Sequence, residues 1–115
     1  MNQTRKIKQN ERALIEFMLE KIGFTIQDYP INEDVFEYEG GKMGSISLGI
    51  DNNSGDYQSD LLQVEYTDTD NVMVLITLTK THQNQLLDLD FWKVDFSKLI
   101  TYPTPDKVTM MPMPS

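Results

Sequence analysis

Across residues 10–22 the apolar positions recur with a helical period. Leu14, Phe17, Met18 and Ile22 fall on one stripe, widened by Ile15 and Leu19, while Glu11, Glu16, Glu20 and Lys21 lie mostly off it. The spacing predicts a helix capped by Asn10, with Glu11 at the positive end of its dipole. Gly23 ends it as the residue able to turn left-handed. Thr4 is an alternative cap for a longer helix running through Ile7.

Beyond Gly23 the period drops to two. Phe24, Ile26 and Tyr29 alternate up to Pro30 as an edge segment. Val35-Phe36-Glu37-Tyr38 reads as a strand, and Gly40-Gly41 as a tight turn into a strand over 43–50. There Ile46, Leu48 and Ile50 share one face, and Ser45, Ser47 and Gly49 the other. A turn cluster over 51–56 precedes the alternating Leu62, Val64 and Tyr66. Asp68-Thr69-Asp70-Asn71 then turns the chain into 72–79, which is apolar on both faces and is the candidate central strand. After a polar loop at His82-Gln83-Asn84-Gln85, Leu87, Leu89 and Phe91 alternate with Asp88, Asp90 and Trp92. The predicted class is α+β, an N-terminal helix packed on an antiparallel meander of about four to six strands. Residues 1–9 read as a basic arm, 10–100 as the single domain and 101–115 as an extended or disordered tail. No internal repeat is present.

Composition narrows the chemistry. At 115 residues the chain has the size of one domain. The absence of cysteine excludes disulfides, thiolate metal sites and thiol nucleophiles. The net charge of −8 is unevenly spread. Arg5, Lys6, Lys8 and Arg12 crowd the start, whereas in the acidic stretch over 28–70 Lys42 is the only basic residue. Such a stretch repels phosphate backbones, so nucleic acid is not an expected partner. It attracts and steers a basic protein, or simply keeps a small domain soluble. No apolar run approaches the ~20 residues a membrane span needs, and no signal-peptide h-region follows the first basic residues. A cytoplasmic location is expected, and nothing fixes an oligomeric state.

Candidate sites each meet a plain alternative. Gly40-Gly41-Lys42-Met43-Gly44-Ser45 has its lysine before the last glycine and strand after it, so a hairpin turn explains it better than a phosphate loop. Counted from Asp51, a calcium loop requires glycine and glutamate where Asp56 and Leu62 stand. His82 reads as an exposed loop residue, and Ser45, Ser47 and Ser54 have no nucleophile-elbow context. No catalytic residue, metal ligand or cofactor is assigned. Asp88 and Asp90 project from one strand face about 7 Å apart, beside Trp92 and near Asp95, a spacing that suits paired carboxylates. The polar face of a half-exposed strand displays the same alternation. Asp95 before Ser97 suits a short turn, and Trp92 suits an interface anchor or core packing.

Two segments carry a resemblance. Gly40-Gly41-Lys42-Met43-Gly44-Ser45 and Leu89-Asp90-Phe91-Trp92-Lys93-Val94-Asp95-Phe96-Ser97 resemble a small family of bacterial proteins with no assigned function, over roughly residues 9–99. The resemblance implies no catalytic residue. In size and acidity the chain is also broadly similar to immunity proteins that neutralise bacterial toxins, an analogy without a motif. The expected function is a non-enzymatic module for a basic protein, immunity-like in one form. Its candidate contacts are Glu37, Tyr38, Glu39, Asp88, Asp90 and Trp92, with Tyr57 and Tyr66 as further anchors. The alternative is a small enzyme or ligand-binding domain using Asp88 and Asp90 in a pocket under the helix.

Overall fold

The computed structural model describes residues 4–38, 43–49 and 57–110. Helix α1 spans Gln9–Lys21, starting before Asn10. Lys8 takes the extended cap conformation, and its N–H donates to Glu11 Oε1 at 2.8 Å. Glu11 therefore caps the helix from its first turn, reaching back to the Lys8 N–H, and Asn10, expected as the cap, lies inside the helix. Gly23 does end the helix, at φ +84°. Its N–H bonds the Glu20 carbonyl and the Phe24 N–H bonds that of Leu19, a Schellman close.

Among the described residues seven strands form one antiparallel sheet: β1 (Thr4–Lys6), β2 (Asp34–Glu37), β3 (Ile46–Ser47), β4 (Tyr57–Thr67), β5 (Met73–Thr81), β6 (Leu86–Lys93) and β7 (Thr109–Met110). Their order is β1-β2-β3-β6-β5-β4-β7. The sheet is larger than the four to six strands predicted, because both flanks of the expected domain add edge strands. Arg5 of the basic arm stands opposite Val35, and Thr109 of the expected tail opposite Glu65. The meander holds for β4, β5 and β6, whose turns place Asn71 and Asn84 at positive φ. β3 pairs with the remaining edge of β6, and β5, the candidate central strand, lies inside the sheet between β6 and β4.

The edge segment expected before Pro30 is a turn. Thr25 N–H donates to Asp28 Oδ2, while the N–H groups of Asp28 and Tyr29 donate to the Thr25 carbonyl. These local bonds satisfy backbone groups that a strand ladder would otherwise need. The turns expected at 40–41 and 51–56 lie outside the described residues.

Strand alternation divides the sheet. Leu14, Ile15, Met18 and Leu19 of α1 share a core with Val35, Ile46, Leu48, Leu62, Val64, Val74, Ile76, Leu78, Leu89 and Phe91. The opposite face has no covering helix among the described residues. Residues after β6 pack back on the domain, with Leu99, Tyr102 and Val108 against the core. A 3-10 turn at Pro105–Lys107 leads into β7. Thus 101–110 belong to the packed domain, whereas 111–115 lie outside the described residues. No helix among the described residues is long and apolar enough to cross a membrane.

Candidate functional site

Period-two alternation on β6 sends Leu89 and Phe91 into the core and Asp88, Asp90 and Trp92 to the opposite face. The pocket expected under the helix is thus on the wrong side for these carboxylates. On the outer face they line a cleft of about 620 Å³ together with Tyr38, Met43, Ser45, Phe91, Trp92 and Phe96.

The β2–β3–β6 register builds one side of it. Phe36 stands opposite Ser47, and Ser47 opposite Asp88. Tyr38, just past β2, donates its hydroxyl to Asp88 Oδ1 at 2.6 Å. Ser45 Oγ donates to Asp90 Oδ1 at 3.1 Å and accepts the Phe91 N–H at 2.8 Å. Two hydroxyls therefore fix the orientation of the two carboxylates. Tight packing under this side constrains Gly44, at φ +97°: an added Cβ would lie 3.1 Å from Leu99 Cδ2 and 3.4 Å from the Phe91 ring.

The other side is aromatic. The rings of Trp92 and Phe96 meet edge to face, with centroids 4.8 Å apart. Phe96 holds φ +65° in the turn after β6, where its N–H donates to the Lys93 carbonyl. Asp95 accepts the Ser97 N–H in that same turn, the role expected of it. Trp92 is 46% and Phe96 66% exposed, large apolar surfaces beside acidic groups.

Burial raises the Asp88 pKa above the ordinary carboxylate range. The Tyr38 hydrogen bond opposes that rise and the neighbouring Asp90 charge adds to it. Tyr38 is raised as well, first by burial and then by its bond to Asp88. A raised carboxyl beside a second one can hold a proton or receive a cation. No group of three or more histidine, cysteine or acidic side chains among the described residues is placed to hold a metal ion.

Of the residues singled out in the sequence, the cleft brings together Tyr38, Asp88, Asp90 and Trp92. Glu37 is not among them: it points to the helix side, where Arg5 Nε donates to it at 2.8 Å. Tyr66 is buried, with its hydroxyl bonded to the Thr101 carbonyl, and offers no anchor. Glu39 and the Tyr57 side chain lie outside the described residues. His82 is exposed on the β5–β6 turn. Met43, Ser45 and Phe96 are cleft residues that sequence reasoning missed. In the sequence Ser45 stands out as the end of the glycine-rich segment and as a hydroxyl without a nucleophile-elbow context, and Phe96 is legible as a second aromatic near Trp92.

The acidic stretch over 28–70 is not one open face. Asp34 pairs with Lys6, Glu37 with Arg5, and Asp68 and Asp70 with Lys93. Folding neutralises part of the charge run with lysines and arginines from elsewhere in the chain.

Comparison with curated proteins and with solved structures finds no match. The family model described as domain of unknown function (DUF6984) matches residues 4–103, from β1 through the segment that packs back after β6, and the chain belongs to that family.

Proposed function

We propose that this chain is a non-enzymatic protein-binding module that receives a basic partner in the outer-face cleft. One observation carries the proposal: Asp88 and Asp90 share an open cleft with Tyr38, Trp92 and Phe96 on the sheet face opposite α1. Carboxylates attract a cation, and aromatic faces add attraction that survives partial desolvation. The net charge of −8 accelerates the encounter at low salt. Neutralisation of Asp34, Glu37, Asp68 and Asp70 within the fold moves the emphasis from the 28–70 stretch to β6. An immunity-like role against a basic toxin is one concrete form of this function.

The test is titration of the full chain with an oligolysine peptide, read by Trp92 fluorescence and by calorimetry. Binding should weaken as salt rises from low to physiological strength and disappear in the Asp88→Asn/Asp90→Asn double variant. Salt-insensitive binding, binding retained by the double variant, or no binding at all would remove the proposal.

The raised pKa of Asp88 beside Asp90 favours a second reading, a small enzyme or ligand-binding domain with Asp88 as proton donor. A small neutral compound that shifts the NMR signals of the cleft residues, with oligolysine leaving them unmoved, would put this reading first.

A further inference from the structure

We propose that the cleft selects arginine over lysine: it is a site for a guanidinium group presented by the basic partner. The inference rests on the binding reading above and adds the chemistry of recognition.

Asp88, Asp90 and Trp92 occupy successive same-face positions of β6, so neighbours in that row stand about 7 Å apart. A cation bonded to Asp90 therefore lies within reach of the indole. An ammonium is a compact, strongly hydrated point charge, and an aromatic-lined cleft strips its water without replacing it. A guanidinium is planar and weakly hydrated, donates in its plane and stacks through its face. It can bond a carboxylate and cover an aromatic ring together.

The carboxylates are also held in fixed orientations, as a fork of donors requires. Asp88 Oδ1 receives the Tyr38 hydroxyl at 2.6 Å and Asp90 Oδ1 the Ser45 hydroxyl at 3.1 Å. An ionised carboxylate has about four acceptor positions, and on Asp88 the Tyr38 hydroxyl takes one of them. Met43 and Phe96 supply apolar lining for the aliphatic stem of the incoming side chain. The cleft volume of about 620 Å³ takes one long side chain with its flanking backbone.

The experiment compares oligoarginine and oligolysine peptides of equal length on the full chain, by calorimetry at one fixed low salt concentration. Oligoarginine should bind about tenfold tighter. In Trp92→Leu the difference should shrink to about twofold or less, because arginine binding weakens more than lysine binding. Trp92 is 46% exposed, so the variant should keep its fold, checked by thermal melting. Equal affinity for the two peptides overturns the arginine inference and leaves the binding module standing. Binding of neither overturns both. An arginine preference that persists in Trp92→Leu overturns the stacking geometry.

Discussion

Lys93 Nζ lies 2.9 Å from Asp68 Oδ2, and both side chains are almost wholly removed from solvent. The lysine occupies the core-facing position of β6 that follows Leu89 and Phe91 in the alternation. Its ammonium also donates to Asp70 Oδ2 at 2.8 Å and to the Lys98 carbonyl at 3.0 Å. Asp68 accepts the N–H groups of Thr69, Ile100 and Thr101 besides Lys93. One junction thus ties the β4–β5 turn, the end of β6 and the segment that returns over the core.

The two partners of this junction are not equivalent. Asp68→Ala leaves the buried ammonium with Asp70 and the Lys98 carbonyl alone, and leaves the Ile100 and Thr101 N–H groups without their acceptor. It should lower the melting temperature by more than about 10 °C. Lys93→Met removes only the cation, fills its volume and leaves Asp68 with three backbone donors, so its loss should be smaller. Thermal unfolding of both variants tests the asymmetry; equal losses would contradict it.

Acid stability should report the same carboxylate. Burial pushes Asp68 upward, but the Ile100 N–H, Lys93, and the Thr69 and Thr101 N–H groups outweigh it and hold the pKa at about 2, against an ordinary 3.8. The folded pKa is depressed, so its contribution is present above pH ~4 and is lost as pH falls toward ~2. Melting temperatures across this window should fall in the native chain and fall less steeply in Asp68→Asn. Lys93 has the opposite sense. Burial lowers its pKa, the two aspartates raise it more, and the net rise keeps its contribution until pH exceeds the ordinary lysine value.

The cleft carboxylate should respond with opposite signs to its two neighbours. Burial comes first in raising Asp88, the Tyr38 bond lowers it, and Asp90 raises it. Tyr38→Phe should therefore move the Asp88 pKa further up, and Asp90→Asn should bring it down. Carboxyl carbon NMR titration measures both shifts, and movement in the same direction would refute the arrangement. Because the folded pKa is raised, ionisation of Asp88 costs stability as pH rises through it, so Asp88→Asn should not lower the melting temperature at neutral pH.

Two glycines at positive φ separate conformation from space. At Gly23 an added Cβ meets nothing within 4 Å, so Gly23→Ala should cost only the left-handed penalty of about 1 kcal/mol. At Gly44 the same atom meets Leu99 and the Phe91 ring, so Gly44→Ala should cost at least about 2 kcal/mol. Urea unfolding of the pair distinguishes them.

Part of the site was legible before folding. A period of two was enough to put Asp88, Asp90 and Trp92 on one face, since alternation is a property of a single strand. Lys93 follows Trp92 directly in sequence but takes the opposite face. Continuing the alternation from Leu89 and Phe91 would have set it in the core, where a lysine requires acidic partners. The Tyr38–Asp88 bond, between residues 50 positions apart, had no sequence signal.

The sequence by itself determined the elements whose causes are local: the apolar stripe and Gly23 close of α1, the alternation of β5 and β6, and the polar turns at Asn71 and Asn84. Only the tertiary structure decided that β3 lies beside β6, that both flanks join the sheet, and that the acidic stretch is partly neutralised by Arg5, Lys6 and Lys93. Strand order and charge pairing depend on which distant surfaces can be buried together, a choice made by the whole chain and not by any window of it.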